Sequence, residues 1–83
     1  MDEDGATPIA LSVLGLDGRG ERAQALEAVL RRLHGVVRAY VSPITALAYL
    51  DYRTALISEE QIVGAIADAG YGVDALRRRF AWR

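Results

Sequence analysis

Apolar positions along this chain change period several times, and each change marks an element. Residues 8–14, PIALSVL, are apolar and β-branched enough for a buried strand, with Ile9, Leu11 and Val13 turned to a core. From 20 to 33 the spacing becomes helical. Ala23, Leu26, Val29, Leu30 and Leu33 share one face, and Gln24, Glu27, Arg31 and Arg32 the other. Gly35 supplies the left-handed residue that ends a helix, followed by apolar Val36. Val37, Ala39 and Val41 then alternate with Arg38, Tyr40 and Ser42, which predicts a strand. Ala46, Ala48, Leu50 and Tyr52 alternate with Leu47, Tyr49 and Asp51, which predicts another. Between them Ser42-Pro43-Ile44-Thr45 reads as a turn, so Val41 is expected opposite Ala46, Tyr40 opposite Leu47 and Arg38 opposite Tyr49. Ser58 and Gln61 form a capping box ahead of the stripe Ile62, Val63, Ile66 and Ala67. Gly70 stops that helix, and Tyr71 to Leu76 read as a last strand.

The predicted order is βαββαβ, a ferredoxin-like α+β sandwich. Right-handed crossovers place both helices on one face of a four-stranded antiparallel sheet. The expected division is an acidic, flexible N-terminus at 1–7, one domain at 8–76, and a basic, aromatic tail at 77–83 able to extend the last strand.

Composition narrows the chemistry. The 83 residues include no cysteine, which excludes disulfides, thiolate metal ligands and thiol nucleophiles. A single histidine, His34, excludes a multi-histidine metal site, and its expected place is a helix C-terminus, where the dipole favours it. No apolar run is long enough to span a bilayer, and the acidic opening MDEDGATP is unlike a signal peptide, so a cytoplasmic location is expected. The tail Arg77-Arg78-Arg79-Phe80-Ala81-Trp82-Arg83 has the composition of a contact for nucleic acid or an anionic membrane. A net charge of −1 argues against that use, and pairing with Asp2, Glu3 and Asp4 is the simpler reading. Ser12, Ser42 and Ser58 have no histidine in reach by this topology, and no carboxylate pair has a site around it. The chain therefore reads as a non-enzyme.

The run GLDGRGERAQALEAVLRRLHGVVRAYVSPITALAYLDY, followed by ISEEQIVGAIADAGYGV, resembles a heavy-metal-associated domain over about residues 8–74. That family includes copper metallochaperones and the N-terminal modules of metal-transporting P-type ATPases. The most specific pieces are Leu33-His34-Gly35-Val36 and Ala69-Gly70-Tyr71-Gly72-Val73. The family's first loop reads Gly-Met-x-Cys-x-x-Cys. The resemblance aligns Gly15 with the glycine, Leu16 with the methionine, and Gly18 and Glu21 with the two cysteines. Soft ions such as Cu(I) need sulfur donors, so the resemblance implies the fold with its metal chemistry lost, and no metal or other cofactor is expected.

Other uses of the loop stay open. Asp17 and Glu21 offer oxygens to a hard cation, but beside Arg19 and Arg22 they make a poor cage. As an alternative, Gly18, Arg19, Gly20 and Arg22 at a helix start could hold a small anion. ACT-like small-molecule sensing is a third reading. Tyr71 is expected beside the loop as a lid over Leu16. The predicted hairpin also places Arg38, Tyr40, Leu47 and Tyr49 on the sheet face away from the helices, with Arg38 able to stack on Tyr49. Such a patch marks a site for a protein partner or for self-association. The leading expectation is thus a protein-interaction or regulatory module related to metal homeostasis.

Overall fold

The computed structural model describes the backbone of residues 6–78 and the side chains of residues 6–74. The elements follow the expected order: β1 (Ala6–Leu14), α1 (Gly20–Arg31), β2 (Val36–Val41), β3 (Leu47–Arg53), α2 (Glu59–Asp68) and β4 (Gly72–Arg78). The sheet runs β2-β3-β1-β4, every pair antiparallel. The split-βαβ arrangement follows, with β2 and β4 as edges. The expectations for Asp2, Glu3, Asp4, Arg79, Phe80, Trp82 and Arg83, and for the side chains of Arg77 and Arg78, lie outside the described residues.

One cluster holds the structure together. Ile9, Leu11 and Val13 of β1, Ala39 and Val41 of β2, and Ala48, Leu50 and Tyr52 of β3 meet Ala23, Leu26 and Leu30 of α1 and Ile62 and Ile66 of α2. Period-2 strands and period-3.6 helices each turn one apolar set inward, which is why both helices lie against the same sheet face.

The helices differ in how they begin. Ser58 Oγ accepts from Gln61 N while Gln61 Oε1 accepts from Ser58 N, completing the capping box expected for α2. The N-cap of α1 is Arg19, which makes no side-chain cap bond. Helix α1 closes at Arg31, two residues before its expected end, so His34 stands in the exposed loop beyond the helix rather than in its last turn. Ala67, expected in the α2 stripe, is exposed.

The hairpin corrects the predicted register. Val41 lies opposite Ala48, Tyr40 opposite Tyr49, and Arg38 opposite Asp51. The cause is the turn. Ala46 adopts φ 60°, its N–H bonds Ser42 O at 3.0 Å, and Ser42 N bonds Leu47 O at 2.9 Å. Residues 43–46 are therefore all loop, and the pairing begins one residue later on β3 and one later on β2. A slip of two residues preserves which face each side chain occupies, so the core assignment survives the changed partners. At the other end a bulge between Val36 and Arg38 breaks the alternation. Val36 packs on the core, and Val37, expected to face it, is 43% exposed.

Candidate functional site

The first candidate is the turn from β1 into α1. Gly15, Asp17 and Gly18 take φ of 106°, 56° and 70°, so the chain reverses through left-handed residues. Leu16 between them is buried at 1% and anchors the turn in the core. A β-carbon at Gly15 would meet Tyr71 Cδ1 at 3.3 Å, which places the Tyr71 ring against the turn. Tyr71 also packs on the cluster that contains Leu16.

The polar groups of this turn engage one another. Arg22 Nη1 donates to Gly15 O at 2.9 Å and to Asp17 Oδ2 at 2.7 Å. The Asp17 carboxylate thus faces a guanidinium of its own chain. Glu21, in the first turn of α1, pairs with Arg19 at 3.5 Å, both largely exposed. Added β-carbons at Gly18 and Gly20 would meet nothing within 4 Å, so both glycines border open space. Among the described residues no group of three or more His, Asp or Glu side chains is placed to hold a metal ion. Asp17 and Glu21, read as oxygen donors, each carry an arginine instead.

The second candidate is the sheet face away from the helices. Tyr40 of β2 and Tyr49 of β3 stack there, with ring centroids 6.2 Å apart and planes 16° from parallel. One register step away, Arg38 donates from Nε and Nη2 to Asp51 Oδ2 at 2.9 and 2.6 Å. Arg38 pairs with Asp51 in place of the predicted register with Tyr49, and Tyr49 meets Tyr40. Asp51 is 8% exposed and Tyr40 is 48% exposed. The half-buried Leu47 lies one step along β3 from Ala48, opposite Ser12 of β1. Tyr40, Leu47 and Tyr49 therefore share this face, with the Arg38–Asp51 pair beside the two rings.

Sequence reasoning did not find the docking of α1 on the β2 edge. Glu27 Oε1 accepts from Val41 N at 3.0 Å, Arg31 Nε donates to Ala39 O at 3.3 Å, and the two side chains pair at 3.1 Å. The spacing of Glu27 and Arg31 is visible in the sequence as an i,i+4 acid–base pair. Its contact with β2 depends on tertiary placement, which no spacing shows.

Three comparisons bear on identity. No protein-family model matches the chain. A cation-transporting ATPase, HMA5, of Oryza sativa subsp. japonica is 40% identical over 47 residues, covering 57% of this chain. The chain spans 5% of that protein's length. Among solved structures, a copper binding domain from HMA7, a P-type ATPase, aligns at a TM-score of 0.83 and 27% identity, covering 89% of this chain and 99% of that one. The CopZ metallochaperone aligns at 0.77 and 28%, covering 82% and 100%. These structures share the βαββαβ sandwich with the present chain. In fold and in local sequence the chain is matched to heavy-metal-associated domains, and it carries Gly18 and Glu21 where the resemblance places their two cysteines.

Proposed function

We propose that this chain is a non-enzymatic, cytoplasmic heavy-metal-associated-type module. It has given up soft-metal binding and serves metal homeostasis by docking a protein on its open sheet face. The observation that carries the reading is the Tyr40–Tyr49 stack, bordered by Arg38–Asp51, on a face that neither helix covers. Flat aromatic side chains lose little rotamer freedom on binding, and an arginine–carboxylate rim gives a partner its orientation. The turn supports the same reading from the other side. Arg22 Nη1 donates to both Gly15 O and Asp17 Oδ2, so the turn already offsets its own charge. Relatives named as cation-transporting ATPases and metallochaperones suggest where a partner is to be sought.

The test is shift mapping on the isotope-labelled chain. It is titrated in turn with a thiol-bearing metal-binding module of a cation-transporting ATPase, with Zn2+ and Mg2+, and with inorganic phosphate. Shifts gathered at Tyr40, Leu47 and Tyr49 with the protein module are expected. They should be lost in the Tyr40→Asp/Tyr49→Asp variant. A response centred on Gly18 and Gly20 with a cation or phosphate would move the function back to the turn. Silence toward the module would end the docking claim.

A further inference from the structure

The edge strand β2 offers outward main-chain groups at Ala39 and Val41, and α1 covers two of them with side chains. Arg31 Nε supplies a donor to Ala39 O, and Glu27 Oε1 supplies an acceptor to Val41 N. A neighbouring antiparallel strand would supply the same complement. In a symmetric pair that sets Ala39 opposite Val41 of a second copy, the Val41 N–H of one strand meets the Ala39 carbonyl of the other, and the reverse. The clasp thus fills, within one molecule, the bonding positions that a second β2 would fill.

We propose that β2 is a self-association edge for a second copy of this chain, and that the Glu27–Arg31 pair is the gate that closes it in the monomer. The register follows from the chain itself. A pair centred on Arg38 sets two guanidinium groups against each other and runs through the bulge at Val37. A pair centred on Ala39 sets the bulged Val37 against Val41. A pair centred on Tyr40 uses only residues 39–41, places Arg38 opposite Ser42, and stops where Pro43 has no N–H to give. That register sets Tyr40 beside Tyr40 of the second copy, so the stacked Tyr40–Tyr49 pairs continue across the seam.

A cavity of about 410 Å³ runs along this strand, lined by Arg31, Val37, Ala39 and Tyr40 among others, which leaves room beside the edge. The seam is short, which makes it a weak and switchable contact. It borrows Tyr40 from the open-face reading and rests on that reading there. The edge groups themselves belong to a different surface.

Sedimentation equilibrium on the full chain, from micromolar to millimolar concentration, tests it. Glu27→Ala/Arg31→Ala removes the gate and is expected to tighten dimerisation by about tenfold or more over the parent chain. Adding Tyr40→Lys sets like charges opposite across the axis and should return the variant to monomer. Adding Leu47→Asp instead damages the open face away from the seam and should leave the dimer intact, which separates this proposal from face docking. A folded, gate-free chain that stays monomeric, or one whose association survives Tyr40→Lys, overturns the proposal. If circular dichroism shows the double variant unfolded, Arg31→Met keeps the aliphatic packing, frees the Ala39 carbonyl, and is judged by the same outcomes.

Discussion

Gly35 sits at φ 102°, and a β-carbon built there would lie 2.9 Å from both Ile57 Cγ2 and Leu56 Cβ. Its carbonyl also accepts from Arg53 N at 2.7 Å, tying the exit of α1 to the end of β3. Left-handed strain and overpacking act together, so Gly35→Ala is expected to cost about 2–4 kcal/mol, read from urea unfolding. The Asp17–Arg22 pair makes a contrast. Its partners are 66% and 41% exposed, so its worth to stability is under about 1 kcal/mol however good its 2.7 Å geometry. Gly35 was legible as a left-handed position after Leu33-His34, but α1 has already closed at Arg31, and Gly35 turns the chain into β2 instead of stopping the helix. That Arg22 reaches back over the turn to both Gly15 and Asp17 was not legible, because a long side chain's choice among carboxylates is settled by loop conformation.

At the scale of elements, the two helices start on different terms. Helix α2 has reciprocal capping bonds from Ser58 and Gln61, whereas α1 begins at Arg19 with no side-chain cap. Ser58→Ala should therefore lower stability by about 1 kcal/mol, while Arg19→Ala should stay within about 0.5 kcal/mol of the parent. Chemical denaturation of the two variants side by side measures the difference. The capping box could be read directly because its signal is local, three residues apart in the chain. The hairpin register could not. Its turn contains Ala46 at φ 60°, a residue type with no preference for that conformation, held by Ser42 O on one side and by Val13 N, which donates to Ala46 O at 2.8 Å, on the other. The bond from β1 is tertiary, so no inspection of residues 42–47 alone predicts that the four-residue loop runs 43–46 instead of 42–45. The same error hid the Arg38–Asp51 pair, which follows at once when the register is right.

At the scale of the molecule, the sheet divides its labour between faces, and the division was legible because alternation along β2 and β3 survives a register slip of two. Leu50 points into the core that joins both helices to β1, β2 and β3, with no exposure. Tyr40, opposite the neighbouring Tyr49, stands half exposed on the other face. A small domain has only about 5–15 kcal/mol of net stability, and core truncation draws on all of it. Leu50→Ala should cost about 2–5 kcal/mol, which in a domain of this size lowers the melting temperature by roughly 10–30 °C. Tyr40→Ala gives up one aromatic cross-strand contact and should cost about 1 kcal/mol or less. Calorimetric scans of both variants decide the matter. If Tyr40→Ala proved as damaging as Leu50→Ala, the open face would be a second core, and its tyrosines would serve the fold instead of a partner. A large loss at Leu50 beside a small one at Tyr40 would leave the stack without a structural need, which is the condition a docking surface has to meet.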